Sequence, residues 1–254
     1  DPADPPTGAA AGEATDYTRF LDPGALAGAR LGVWRHGLDS VGPATAVVME
    51  AAITRLRACG ATIIDQVDLP DMDKVYAPEN AALTHEFKHD LNAYLAGVPG
   101  EHPASLADLI AFNQAHAGTV LAHFGQDIFE AAQATSGDLA DAEYLSARTQ
   151  ARRLARAALD AALLSSSLDA VVSLTGNPAW LTDHVLGDNH GFGTSTPAAV
   201  SGYPSITVPA GQVSGLPVGI SFTGPSWSEP RLIALAHAFE LAGQSGNGLL
   251  EARG

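Results

Sequence analysis

Residues 202–223 read GYPSITVPAGQVSGLPVGISFT. Two runs rich in apolar and β-branched residues, 205–210 (SITVPA) and 217–223 (PVGISFT), are joined through Gly211 to Gly215, consistent with a hairpin. Ser228 then caps a final helix with Pro230 in its first turn. On that helix Leu232, Leu235, Ala236 and Phe239 recur at helical spacing and are expected to face a core.

Upstream of the hairpin, residues 170–174 (AVVSL) form a buried-type strand. Residues 30–35 (RLGVWR) form another, followed by a helix whose Val48, Ala52, Leu56 and Cys59 keep one face apolar until Gly60 stops it. Residues 61–67 (ATIIDQV) are a further strand, which completes a βαβ unit expected to pair in parallel with a right-handed crossover. The middle of the chain is helical. Leu83, Phe87, Leu91, Tyr94 and Leu95 make one stripe ended by Gly97 and Pro99, and Ser105 caps a shorter helix through His116. A long Ala- and Arg-rich helix spans about 140–164, with Arg148, Arg152 and Arg156 on a solvated face and Asp160 as a local partner. The expected fold is α/β, a mixed β-sheet flanked by helices on both faces, with residues 1–16 as a Pro-, Ala- and Gly-rich linker or strap.

The formal net charge is -15, and only Lys74 and Lys88 of the thirteen basic residues are lysines. That balance argues against a nucleic-acid partner, which needs clustered cations. The apolar runs fall short of the ~20 residues a membrane-spanning helix requires, so no membrane partner is expected. Cys59 is alone, so there is no disulfide framework. The chain opens on Asp1 without a basic or apolar leader, as a processed or truncated end would; a cytoplasmic location is favoured.

Three local patterns invite a catalytic assignment. His85-Glu86-Phe87-Lys88-His89 is a literal H-E-x-x-H, in which the histidines would hold Zn²⁺ and Glu86 would activate a water. The continuation is wrong, because Asn92 and Leu95 stand where the extended pattern has its Gly and third His, and Glu101 and Asp108 are loose candidates for a third ligand. If Leu83, Phe87 and Leu91 face the core, both histidines turn toward solvent or a polar groove. The serines fare no better. Residues 165–167 (SSS) suit an ordinary turn, and 193–197 (GTSTP) place Pro197 where a nucleophile elbow needs its second Gly. A Ser–Lys dyad would have to draw on Lys88. Finally, the segment 175–201 is dense in Gly, Pro, Asn, Asp and His, and so long a loop in a compact domain is usually functional. Its Asp183, His184, Asp188, Asn189 and His190 have metal-binding chemistry in principle, although in a polar loop such residues more often make turns.

Residues 202–211 (GYPSITVPAG) resemble the G-x-P-x-I-x-V-P-x-G strand of the amidase signature family, and 215–222 (GLPVGISF) resemble its following G-L-P-V-G strand. Gly224, Glu229, Leu232 and residues 238–240 (AFE) fit its closing helix. More loosely, residues 1–5 (DPADP) resemble the D-P-x-D-P that follows the family's catalytic half, and 26–33 (LAGARLGV) its L-x-G-x-R-x-G-V strand.

The resemblance implies an amide hydrolase that uses a Ser nucleophile, a second Ser in a cis peptide and a Lys base, without a cofactor. Those residues precede the D-P-x-D-P point, and nothing here matches them. Residues 1–254 are therefore expected to be the C-terminal part of a carboxamide hydrolase, contributing scaffold and pocket wall and inactive alone. The loop ahead of the G-x-P strand implies a substrate-binding set of Asn177, Trp180, Asp183, Asp188, Asn189, His190 and Ser195. Trp180 would stack on the substrate and Asp188 would hold a polar group. The implied partners are a small-molecule amide and the N-terminal catalytic half, from the same gene or a separate chain, with homo-oligomerisation open. An apolar face should be exposed where that half docks. The alternatives are the zinc protease above and a non-catalytic binding domain of the same fold.

Overall fold

In the computed structural model of the chain, residues 5–10, 12–13 and 15–251 are described. Four of the five DPADP residues, and part of the strap expected at 1–16, lie outside them. The elements run α1 (Pro5–Ala9), β1 (Arg30–Val33), α2 (Pro43–Ala58), β2 (Thr62–Ile64), α3 (Tyr76–Gly97), α4 (Leu106–Ala115) and α5 (Ala117–Val120). They continue with α6 (Asp127–Ala134), α7 (Ala142–Ser165), β3 (Ala170–Leu174), α8 (Thr196–Ser201), β4 (Ser205–Val213), β5 (Leu216–Thr223) and α9 (Glu229–Glu251). The chain divides into two compact units, one of residues 1–70, 156–183 and 188–254, the other of 71–155 and 184–187.

The first unit holds a five-stranded sheet in the order β2-β1-β3-β5-β4. Strand β1 is parallel to both β2 and β3, whereas β5 is antiparallel to β3 and β4. The sheet is thus mixed, as expected. Every residue of β3 is buried, which suits a strand covered on both faces. Helix α2 starts with Pro43 at its first turn and ends at Ala58, and Gly60 just beyond it, with φ of 88°, lets Ala61 N–H reach back to the Leu56 carbonyl at 3.1 Å. It packs with α9 on one face of the sheet, where Phe239 meets Phe222 edge-on at 6.0 Å. The return from β2 to β3 passes back over β1, so the same right-handed rule sends residues 156–165 of α7 to the opposite face. The alternation in β3 agrees: Ala170, Val172 and Leu174 join the α2–α9 core, while Val171 and Ser173 point away and are equally buried.

The hairpin turns at Ser214 and Gly215, both with positive φ (51° and 81°), the pattern of a type I′ turn. A one-residue bulge separates the Pro209–Gly219 and Gly211–Val218 pairs. Pro209 is tolerated because β4 is an edge strand. Gly219 is required by space. A Cβ there would come within 2.7 Å of Thr207 Cγ2 and 2.8 Å of Thr175 Oγ1. These threonines surround Ser221, whose hydroxyl lies 2.8 Å from Thr175 Oγ1 and 2.9 Å from Thr207 Oγ1.

In the second unit α3, α4 and α6 pack together. Ser105 Oγ accepts from Asp108 N–H at 3.2 Å and donates to its carboxylate at 2.8 Å, the expected cap. Lys88 Nζ donates to the carbonyls of Gln133 (2.9 Å) and Thr135 (2.6 Å), so the lysine a Ser–Lys dyad would need instead closes the end of α6.

Three local expectations are corrected. On α3 the buried residues are Ala82 and His85, while Leu83 and Phe87 are exposed and, with Leu91 and Tyr94, line an open groove of about 440 Å³. Burial of His85 is tolerable because its Nδ1 lies 2.8 Å from the Ala81 carbonyl and its ring packs beside Tyr144. Arg156 does not pair with Asp160. Its guanidinium donates to the Ser201 carbonyl at 2.8 Å and lies over the Tyr203 ring, and Asp160 accepts from the Tyr203 hydroxyl. Ser228 precedes α9, but its hydroxyl is sealed from solvent and has no hydrogen-bond partner among the described residues, rather than capping the helix.

Arg35, just past β1, clamps Asp65, just past β2, through two 2.8 Å bonds, Nε to Oδ1 and Nη2 to Oδ2. This fork holds the Asp65 carboxyl below its ordinary value of 3.8 despite the opposing effect of burial. A depressed folded value stabilises the native state fully above the unfolded value, and the contribution is lost as pH falls through the folded one. Arg35→Met should return the Asp65 carboxyl toward its ordinary range in a ¹³C titration and flatten this part of the acid-side stability slope. Gly219→Ala should lower stability by about 1–3 kcal/mol through overpacking against Thr207 and Thr175, read as a reduced urea midpoint at unchanged m-value.

Candidate functional site

The connection from β1 leads to β2 on one side, whereas β3 lies on the other. The carboxyl ends of β1 and β3 therefore flank a topological switch point, the place where open α/β sheets leave a crevice for ligands. A cleft of about 250 Å³ lies in the first unit between the segments that leave these two strands. The segment after β1 contributes Ser40, Val41, Gly42 and Thr45, and the segment after β3 contributes Asn177, Pro178, Ala179, Trp180, Asn189 and Gly191.

Local chemistry explains why the second segment holds its shape. Gly176 and Gly193 form an antiparallel bridge, and Thr194 Oγ1 donates to the Leu174 carbonyl at 2.8 Å, so the loop is closed at its base. Inside that closure the Asn177 carboxamide substitutes for a strand. Its Oδ1 accepts from the N–H groups of Gly191 (3.2 Å) and Phe192 (3.1 Å), and its Nδ2 donates to the Pro178 carbonyl at 3.0 Å. Phe192 is buried against Gly37, where φ is 75° and a Cβ would come within 2.4 Å of the phenyl ring. That contact ties the two segments together. At the mouth, the Trp180 indole N–H donates to Asp188 Oδ1, and the ring meets His190 edge-on at 5.5 Å.

Of the seven residues expected to line a substrate site, Asn177, Trp180 and Asn189 line the cleft, and Asp188 and His190 touch Trp180. Asp183 is half-buried and outside the lining. Ser195 is exposed at the start of α8 and makes no side-chain cap, and it is likewise outside the lining. The contribution of Ser40, Val41, Gly42 and Thr45 was missed. Its signal was available in Gly42-Pro43, a helix start directly after a parallel strand.

The competing metal sites have other geometry. Glu86 accepts from the Tyr144 hydroxyl at 2.7 Å and lies 3.6 Å from Arg148, and His89 Nδ1 lies 2.8 Å from Asp90. Among the described residues no group of three or more His, Cys, Asp or Glu is placed to hold a metal ion. Among the described residues, none that lines the cleft carries a charged side chain. Its polar groups are hydroxyls, carboxamides and backbone amides, suited to hydrogen-bonding a neutral polar ligand beside the Trp180 ring.

Comparison with known proteins gives a consistent result. A family model described as Amidase matches residues 1–233. A probable amidase of Arabidopsis thaliana is 35% identical over 233 residues, covering 89% of this chain and 40% of the relative. The structure of a peptide amidase in complex with the competitive inhibitor chymostatin superposes with a TM-score of 0.87 at 44% identity, covering 96% of this chain and 50% of that one. The native peptide amidase of Stenotrophomonas maltophilia gives 0.85 at 43% identity, with 96% and 49% coverage. The chain thus spans about half the length of the relatives it matches.

Asn177→Ala would strip the acceptor from two backbone amides, at a cost of about 1–3 kcal/mol per group left unpaired. The expected result is faster hydrogen exchange at Gly191 and Phe192 and a changed Trp180 emission, with the β3–β5 amides protected as before.

Proposed function

The chain belongs to the amidase signature family, and we propose that it is the C-terminal half of a carboxamide hydrolase whose substrate is a peptide amide. The observation that carries this is the match to peptide amidases at 43–44% identity over 96% of the chain but only 49–50% of theirs. The catalytic Ser–Ser–Lys set then belongs to the other half, as the family resemblance implies. The role of these residues is to shape and position.

In this role Trp180 presents an apolar face to a substrate side chain, held in orientation by the bond from its indole N–H to Asp188. Asn189 supplies a carboxamide that can donate to a peptide carbonyl or accept from a peptide N–H. Asn177 acts on the substrate through the loop it braces, and His190 through Trp180. No cofactor is required, since amide hydrolysis by a serine nucleophile needs only acid–base and oxyanion groups. The exposure of Leu83, Phe87, Tyr94, Phe124 and Ile128 supports the half-enzyme reading, because apolar surface on this scale is normally covered by a partner.

The test is to assay ammonia release from peptide amides, and labelling by a serine-reactive fluorophosphonate, for this chain alone and together with the upstream half. Turnover and labelling of the upstream half are expected only when both are present. Labelling of this chain by itself would place a nucleophile within these residues and overturn the proposal. Failure of the combined halves to hydrolyse any amide would favour a non-catalytic binding domain.

A further inference from the structure

Thr45 stands in the wall of the cleft, in the first turn of the 16-residue helix α2. That turn is poorly satisfied by the protein itself. Gly42 at the N-cap has no side chain to offer, and Pro43 has no N–H. Thr45 N–H bonds back to the Gly42 carbonyl at 3.0 Å, and helix geometry leaves the Ala44 N–H without an intrahelical acceptor. The Thr45 side chain is a second, independent sign of a missing ligand. The residue is only 3% exposed, yet its hydroxyl has no hydrogen-bond partner among the described residues. Thr45 is one of the residues that line the cleft.

We propose that the Thr45 hydroxyl and the amino end of α2 form a subsite for a peptide carbonyl oxygen, with the same residue's side chain laid against Trp180. The inference rests on the peptide-amide reading above and names where the peptide beyond the scissile amide is held. A donor hydroxyl beside an unused amide N–H calls for an acceptor oxygen. A carbonyl fits better than a carboxylate, for two reasons. Among the described residues no cationic side chain lines the cleft, so a desolvated carboxylate would lack a counter-charge, and the chain as a whole carries a formal charge of -15. Asn189, across the cleft, can accept the N–H of the same peptide unit, which an isolated carboxylate would not supply.

The experiment uses the enzyme assembled from both halves and compares an amino-acid amide with the corresponding dipeptide and tripeptide amides. Thr45→Val, close in shape but without the hydroxyl, should lower the dipeptide-to-amino-acid ratio of kcat/KM about five- to tenfold, mainly through KM. Thr45→Ser should restore the ratio, and equal melting temperatures of the variants would show that the fold is kept. A Thr45→Val enzyme with an unchanged ratio sinks the subsite while leaving the peptide-amide reading intact, and so does an equal loss on every substrate, which marks a structural role. A wild type that hydrolyses other amides but no peptide amide defeats the peptide-amide reading, and the subsite with it.

Discussion

Strand β5 is hydrogen-bonded along both edges, to β3 through the Val171–Thr223 to Leu174–Ile220 pairs and to β4 along the hairpin. This double pairing joins a parallel βαβ unit to an antiparallel hairpin, two pieces that alone would each leave an apolar face uncovered. It also fixes the register of β3, and a shift by one residue would exchange the Val172 face for the Val171 face. The end of β3 therefore emerges at a set position beside β1, and the loop that braces the cleft inherits that position. Gly219 is the local condition for all of this, since only a residue without Cβ lets β5 run beneath Thr175 and Thr207.

The hairpin, the closing helix and the βαβ unit were legible because each carries its own local chemistry. The Gly60 stop and Pro230 in the first turn of the closing helix leave little freedom, the connection expected at Gly211 to Gly215 narrows to Ser214-Gly215 because β4 runs on to Val213, and the apolar runs of β1 and β3 suit only a covered sheet. The helical unit was less legible. Two stripes of α3 compete for the core, and the one chosen by size (Leu83, Phe87, Leu91) lost to a smaller one (Ala82, His85) because a neighbouring tyrosine and the Ala81 carbonyl one turn back satisfy the histidine. Hydrophobic periodicity ranks faces by transfer free energy and cannot see such partners. Likewise Asp160 was assigned to Arg156 by helical spacing, whereas Tyr203, 43 residues away in sequence, reaches it first.

For the site, composition pointed to the right loop but not to its counterpart. Asn177, Trp180 and Asn189 stood out as polar or aromatic residues in a segment without periodicity. Thr45 is hidden in an apolar helix, and its placement depends on strand order, which no local window contains. Asn177 also illustrates a change of role. Expected to meet a ligand, it spends its carboxamide on the backbone of Gly191, Phe192 and Pro178. The groups left over are neutral, so recognition here depends on directional hydrogen bonds and ring contact, and it should vary little with ionic strength.

The second unit interrupts the sheet unit once in the crossover, entering at residue 71 and leaving at 155, and again at 184–187 in the cleft loop. Residues 156–165 of α7 belong with the sheet, so together with residues 65–70 they would suffice to carry a parallel crossover on their own. The large insertion is thus topologically dispensable. A longer helix or loop within it leaves the hydrogen bonds between strands untouched. A module inserted in this way can change its length and its surface while the strand order of the sheet stays the same.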